Sequence, residues 1–564
     1  MRRKLFCALM SMMLMLSMAA CDAVGADILS RPAEKNNDDS EEGSEERSGE
    51  ETSQHKNSMA VDKTESDRLM EVTQVKVGSQ SYMEINNKYA GMDASRVYYT
   101  LSPDSAEQYP ELAKVLKQMQ RDTEKSLDDA MSFLKEGLEE IITYREDAVS
   151  LEDCSDGVVL RADNVVFSYL ATNQNYYGGA HGGYWIGGAA FDVETGEQLS
   201  LSDVVADAER MKKLTAKTLY ETYGEIFFYD VFETIAGYDM SEFTWSMDYF
   251  GVYLYFNQYE LASYADGVQT VYFSFAEYPD LFVEKYTALP EQYVVPLQES
   301  ADYSVDVNGD GKEENFQVKS TYEEYDYYSS SILYNGSEIE DAAYVYDVDY
   351  YLVKTGAGGF IYCFHLLEND YTTLTVFDLS RGEFTLDGES RNFYLPGRYE
   401  YKEDEAGYHY QVITQVWNDP TSFELKSKMD VLSTYDGMKT YRVGENGWPV
   451  SDDPYFSADT NYLLHTLQNV PSKLVNPDGT VIEKNCVVPK GCYLKIVGAT
   501  EDGVYVMEAT NYVRQETEFP FFEADENTQY RSDVLYYIRL DEPYGWKIGG
   551  IEIDQLFEGM FFAG

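Results

Sequence analysis

Between Pro110 and Ile141 the apolar residues Leu112, Val115, Leu116, Met119, Leu127, Leu134, Leu138 and Ile141 recur at helical spacing. That period draws a single stripe down a helix of about thirty residues, and Pro110 suits the first turn, where its missing N–H is no loss. A helix that is apolar on one side must be covered along its length. Strand-like Val72–Ile85 and the alternating segments around Val158–Leu170, Tyr184–Val193 and Val252–Phe256 offer the sheet that covers it. The expected amino-terminal fold is therefore α+β, a long helix on a mostly antiparallel sheet.

After Pro290 the texture changes to short aromatic-rich strands punctuated by Gly, Asn-Gly and Asp-Gly. Little helical periodicity remains through about Asp453, so mainly β domains follow, with propeller-like strand repeats too few to close a ring. Beyond Tyr455, the run Val475–Val481 turns at Asp478-Gly479, and Cys486–Val497 turns near Pro489-Lys490. Two strand pairs with tight turns at that spacing look like a small SH3-like barrel. The divisions expected from these changes are 67–295, 296–453 and 454–564.

The amino terminus is of another kind. Arg2, Arg3 and Lys4 precede an apolar run from Leu5 to Ala20, and Met18-Ala19-Ala20-Cys21 places small residues before a cysteine. This is the pattern of a bacterial lipoprotein signal, residues 1–20 being cut away and the thiol of Cys21 acylated. Residues 21–66 are rich in Asp, Glu, Ser and Asn, with almost nothing to bury, and read as a disordered acidic tether. As a flexible coil its ends would lie about 35–40 Å apart. The expected location is the outer face of the cell membrane, held there by lipid.

Charge narrows the partners. With 100 Asp and Glu against 43 Lys and Arg, the net charge is -57, which argues against nucleic acid and steers basic partners toward the surface. The 51 tyrosines suit strands and also offer faces on which sugar rings stack. Only five histidines occur, with no His-Glu-x-x-His, no Gly-x-Ser-x-Gly and no phosphate-binding glycine loop. Catalysis is not expected. Cys154, Cys363, Cys486 and Cys492 are too few for a disulfide scaffold, and a bridge between Cys486 and Cys492 across the expected turn would be strained, so free thiols are expected.

One histidine has a distinctive setting. His181 sits in Tyr177-Gly178-Gly179-Ala180-His181-Gly182, where glycines permit a tight surface loop able to present an imidazole. This segment is followed by Phe191-Asp192-Val193-Glu194-Thr195-Gly196, Leu199-Ser200-Leu201-Ser202-Asp203-Val204 and Tyr255-Phe256-Asn257-Gln258-Tyr259-Glu260-Leu261-Ala262-Ser263-Tyr264-Ala265-Asp266-Gly267. In that order and spacing, residues from about 70 to 295 resemble the lysozyme-binding extracellular domain of the sigma-V anti-sigma factor of Gram-positive bacteria. The same domain forms the non-catalytic part of a peptidoglycan deacetylase. Ser263 stands where that family commonly has proline. The chain carries neither the sigma-binding segment nor a deacetylase domain, so neither whole-protein function carries over. The resemblance implies an α+β fold and a surface for a lysozyme-type muramidase or peptidoglycan glycan, with Tyr177, His181 and Tyr259 as the ligand-binding residues.

Asp306-Val307-Asn308-Gly309-Asp310-Gly311-Lys312-Glu313-Glu314 is the second ligand motif. Side-chain oxygens of Asp306, Asn308, Asp310 and Glu314, with the Lys312 carbonyl, are spaced to surround Ca²⁺ around the turn at Gly311. Gln317 occupies the place of the bidentate glutamate of an EF-hand, and the following residues read as strand, so the loop looks more like those between strands of propeller-type repeats. The expected function is that of a membrane-anchored, non-catalytic binding lipoprotein. The alternatives are a glycan-processing enzyme using a carboxylate pair and a scaffold for other envelope proteins.

Overall fold

The apolar stripe is a helix, and the sheet beneath it is larger than the sequence suggests. The computed structural model describes residues 69–85, 88–142, 149–323, 327–368, 371–385, 392–404, 407–458, 460, 462–513, 522–524 and 527–562. The expected signal, Cys21 and the tether lie outside these residues. Strands β1 (Val72–Ile85) and β2 (Lys88–Leu101) form a hairpin that leads into helix α1 (Pro110–Ile141). Strands β3 (Val149–Ala162), β4 (Val166–Tyr176) and β5 (Gly183–Asp192) follow. Leu112 and Leu116 are buried among Tyr99, Phe167 and Phe191, while Leu134 and Leu138 are buried on Ala90, Met92 and Leu151. Each such leucine contributes roughly 1.5–3 kcal/mol by leaving water.

β2 and β3 run parallel, Ala90 beside Val149 through Ser95 beside Cys154. A parallel pair needs a long crossover, and α1 is that crossover. The other pairs in this sheet are antiparallel.

The far face of the sheet contributes Leu160, Leu170 and Ile186 to a second core. That core is completed by residues of β7 (Gly251–Phe256), β9 (Tyr293–Pro296), β10 (Tyr303–Val305), β11 (Glu314–Tyr322) and β14–β16 (Asp347–Thr355, Gly358–Leu366, Thr372–Asp378). β7 is central to a three-stranded sheet with β6 (Thr244–Met247) and β8 (Gln269–Ser274). The carboxylate of Asp248, fully buried in the β6–β7 turn, accepts from Phe250 N (2.7 Å), Gly251 N (2.8 Å) and the Tyr253 hydroxyl (2.8 Å). Tyr253 in turn meets Tyr303 at 2.9 Å. Burial pushes the Asp248 carboxyl up to about 6, against the pull of those hydrogen bonds and of Arg161.

Two late strands, β18 (Gly397–Asp404) and β19 (Gly407–Gln415), return to the first sheet. Its order is β18-β19-β1-β2-β3-β4-β5, with Thr73 opposite Gln415 and Gln80 opposite Tyr408. The ring of Tyr410 lies directly over Gly78, where a Cβ would come within 2.0 Å of it. Val416 N bonds Val72 O at 2.9 Å, and the Asn418 side chain bonds Met70 O at 2.5 Å. The sheet expected within residues 67–295 therefore takes its edge from residues 397–415.

By internal contacts the described residues form two compact units, the first within 69–365, 375–385 and 397–420, the second within 366–374, 392–396 and 421–562. The expected boundary at 453/454 falls inside the second unit, because β21 (Thr434–Val443) pairs with β23 (Phe456–Ala458), which pairs with β27 (Tyr493–Thr500). Also in this unit, β25 (Val470–Val475) and β26 (Val481–Val488) form the hairpin expected at Asp478-Gly479.

The turn expected between Cys486 and Cys492 does not make a hairpin. Gly491 N donates to Thr466 O (2.8 Å), and Cys492 N donates to the Thr466 hydroxyl (2.9 Å), which itself donates to Pro489 O (2.8 Å). Those bonds to Thr466 carry the chain away from β26 into β27. Cys486 consequently stands opposite Ser472, and none of the four cysteines among the described residues is in a disulfide.

Candidate functional site

Two distant motif segments meet at the outer edge of β5. Beyond β4, the loop 177–182 turns at Gly178, whose φ of 81° lies in the left-handed region that glycine adopts without strain. Beyond β7, the loop begins at Asn257, which is buried. Its side-chain carbonyl accepts from Ile186 N at 2.7 Å and its amide donates to Ile186 O at 3.0 Å. β5 is an edge strand, and this pair of bonds satisfies polar backbone that would otherwise lie unpaired.

The clamp brings three rings into a row. His181 stacks on Tyr264, with centroids 4.0 Å apart and planes inclined by 30°, and Tyr264 lies 6.0 Å from Tyr259. His181 and Tyr259 are exposed, Tyr259 by 59%. Tyr259 has φ of 67°, an uncommon conformation for a large side chain. Local bonds hold it there: Tyr259 N to Ala262 O at 3.1 Å, Glu260 N to Asn257 O at 3.0 Å, and Asn257 N to the Glu260 carboxylate at 2.9 Å. Phe228 N bonds Leu261 O at 2.9 Å, which brings exposed Phe228 and Tyr229 beside the same loop. His181 Nδ1 lies 2.8 Å from Gly182 O, so this nitrogen is occupied by the loop itself.

Tyr177 is turned elsewhere. Its ring meets Phe133 of α1 edge-on at 5.1 Å, and its hydroxyl donates to Asp153 Oδ2 at 3.1 Å. Asp153 is paired with Arg96 at 3.1 Å, and Arg96 reaches Ser126 of α1 at 3.1 Å. Burial and the neighbouring Asp153 carboxylate push the Tyr177 phenol up to about 12, so it remains a neutral donor. The predicted trio is thus divided, Tyr177 belonging to a cleft with Phe133, Gly137, Glu140 and Leu151. Tyr264, which joins His181 to Tyr259, was not among the predicted site residues, although the motif contains it five residues after Tyr259.

The loop 306–314 closes on its own backbone. Asp306 accepts from Gly309 N (2.7 Å), Asp310 N (3.2 Å) and Gly311 N (2.9 Å). Asn308 accepts from Asp310 N (2.8 Å), and Asp310 accepts from Lys312 N (2.9 Å). Glu314 is buried, receiving Val307 N and the Asn308 amide, each at 3.0 Å. Burial pushes the Asp306 carboxyl up, but the backbone N–H groups outweigh it and hold the group below its usual range. Among the described residues no three of His, Cys, Asp and Glu are grouped as metal ligands. Asp306, Asn308, Asp310 and Glu314 are oxygen donors of the kind a hard cation takes, and Asp306 Oδ1 already accepts two of the backbone bonds.

No family model matches this chain, and no curated protein matches it. Among solved structures, a DUF3298 family protein from Bacteroides fragilis is similar at 14% identity and a TM-score of 0.28, over 38% of this chain and 94% of its own. A DUF3298 family protein from Pseudomonas aeruginosa is similar at 11% identity and a TM-score of 0.28, over 40% of this chain and 100% of its own. Neither likeness, at these scores, bears on what this chain does.

Proposed function

We propose that this protein is a lipid-anchored, extracytoplasmic binding lipoprotein that takes a lysozyme-type muramidase, or the wall glycan such an enzyme cuts. The observation that carries this reading is the row His181–Tyr264–Tyr259, presented by two segments that Asn257 clamps together. Exposed aromatic rings on a fixed backbone supply contact area at small entropic cost, which is what a recognition surface needs. The His181 ring is engaged in stacking and in a bond to its own loop, an arrangement for contact more than for proton transfer. A charge of -57 supports a basic partner, since it accelerates encounter with one.

Charge alone gives binding that vanishes in salt, whereas a packed interface survives it. Calorimetry of residues 67–564 with lysozyme tests the difference. Affinity should weaken yet persist at ~0.5 M salt, where screening acts over only about 4 Å. Complete loss of binding in salt would remove the specific partner.

Two finer proposals accompany this one. Residues 454–564 contain an SH3-like barrel, supported by the tight hairpins at Asp478-Gly479 and between Thr500 and Gly503. Residues 306–314 bind Ca²⁺, supported by the spacing of the oxygen donors around Gly311.

A further inference from the structure

The face of the first sheet that α1 covers continues beyond the helix, over β4 and β5. Cross-strand pairing places Asp153 opposite Asn175, Ser155 opposite Asn173, Asn173 opposite Trp185 and Asn175 opposite Gly183, so these residues share that face. Trp185 is 49% exposed. Its indole lies flat along the strand over Gly187, where a Cβ would come within 2.3 Å of the ring. Glycine at 187 is what lets the ring lie down with its outer face free.

From opposite Trp185 a fixed polar row runs along the same face, away from the indole: the ring lies over Gly187, whereas the Asn175 side chain lies over Gly183. The Asn173 amide donates to Asp153 Oδ1 at 3.0 Å and to the Ser155 hydroxyl at 3.2 Å, and the Asn175 amide donates to Asn173 Oδ1 at 3.3 Å. Arg96, ion-paired with Asp153, anchors the row from the helix side. By valence, the row leaves the Ser155 hydroxyl proton, the second Asn175 N–H and the Asn175 carbonyl free to pair with a ligand. A flat aromatic face with uncharged donors and acceptors one or two sugar lengths along the same sheet face, held by a charged anchor, matches a chain of pyranose rings, each with one apolar face and a rim of hydroxyls.

We propose that this ledge, Trp185 with Ser155, Asn173 and Asn175, is a second binding site, and that it takes an uncharged saccharide chain. The strongly acidic surface excludes anionic polymers, while the ledge itself supplies no cation to neutralise them. The occupant stacks one sugar on the indole and sets its hydroxyl or acetamido groups on the amide row. This inference shares its glycan chemistry with the binding function above, but it rests on different residues from the His181 row.

The test is titration of residues 67–564 with an N-acetylglucosamine tetrasaccharide, read by calorimetry and tryptophan fluorescence. Wild type should bind, and Trp185→Ala should weaken binding at least about tenfold, as loss of a buried aromatic anchor does. Gly187→Val keeps the indole but lifts it from the strand, and should weaken binding similarly. Lysozyme affinity should be the same in wild type and in both ledge variants, so failure of the ledge and failure of the His181 row are read separately. Unchanged melting temperatures confirm that both ledge variants fold, since Trp185 is half exposed. The proposal is overturned by no wild-type binding tighter than about 1 mM, or by equal binding in wild type and both ledge variants.

Discussion

Asn257 holds Ile186 at both of its backbone polar atoms, from 71 residues away in the chain. This one side chain ties the two motif segments together. Asn257→Ala leaves a buried N–H and C=O unpaired, and should lower stability by about 1–3 kcal/mol. Asn257→Asp keeps the acceptor but sets a buried carboxylate oxygen against Ile186 O, so it should be at least as destabilising as alanine in urea denaturation. Equal stability of all three would mean that water replaces the clamp.

Tyr264 is central to the ring row and should matter more than either end. Tyr264→Ala separates His181 from Tyr259, and its loss of lysozyme affinity at ~0.5 M salt should exceed that of His181→Ala or Tyr259→Ala. If none of the three variants moves the affinity, the contact lies elsewhere.

Asp248 gives stability a pH dependence of known sign. Its carboxyl titrates near 6 in the folded protein, above the ~3.9 of an unfolded chain, so the folded state holds the proton more tightly. The contribution is fully present below about pH 4 and is lost as pH rises through 6, amounting to roughly 3 kcal/mol. Asp248→Asn removes the proton but keeps the shape. Between pH 4 and pH 7 wild type should therefore lose stability relative to this variant, and parallel curves from urea melts would exclude the effect.

The loop 306–314 separates a structural role from a metal role. Because Asp306 accepts three backbone N–H groups, Asp306→Ala should lower the melting temperature even in chelator. Calcium at millimolar concentration should raise the melting temperature of wild type, and not that of Asp310→Ala. Equal calcium responses in those two proteins would leave the loop a turn alone.

Residues 67–295 expressed alone lack β18 and β19, so β1 becomes an open edge and Gly78 loses the ring that covers it. That fragment should aggregate or show no fixed near-ultraviolet circular dichroism, while residues 67–564 remain monodisperse on size exclusion. A monodisperse, cooperatively melting fragment would show that the late strands are dispensable.

What could be read from the sequence was what is local. Leu112, Leu116, Leu134 and Leu138 announce both α1 and its buried face, since their spacing alone fixes which side must be covered. The return of β19 to β1 has no such signal, because strand partners so far apart leave no periodic trace in either segment. The site divides in the same way. His181 and Tyr259 stand out by their glycine-rich or motif-bearing loops, but the pairing of Asn257 with Ile186 depends on where two strands end. The polar row by Trp185 is spread over three strands and becomes a row only in the folded register.

The bond from Asn418 to Met70 spans 348 residues. At ~5–20 residues per second of synthesis, roughly 20–70 s pass between the appearance of β1 and the arrival of the strand that seals it. For that interval the nascent chain carries an unpaired hydrogen-bonding edge, the kind of surface on which other strands add. Completion of the first unit is thus a late, long-range event in synthesis, and the unpaired β1 edge exposes the chain to aggregation until then.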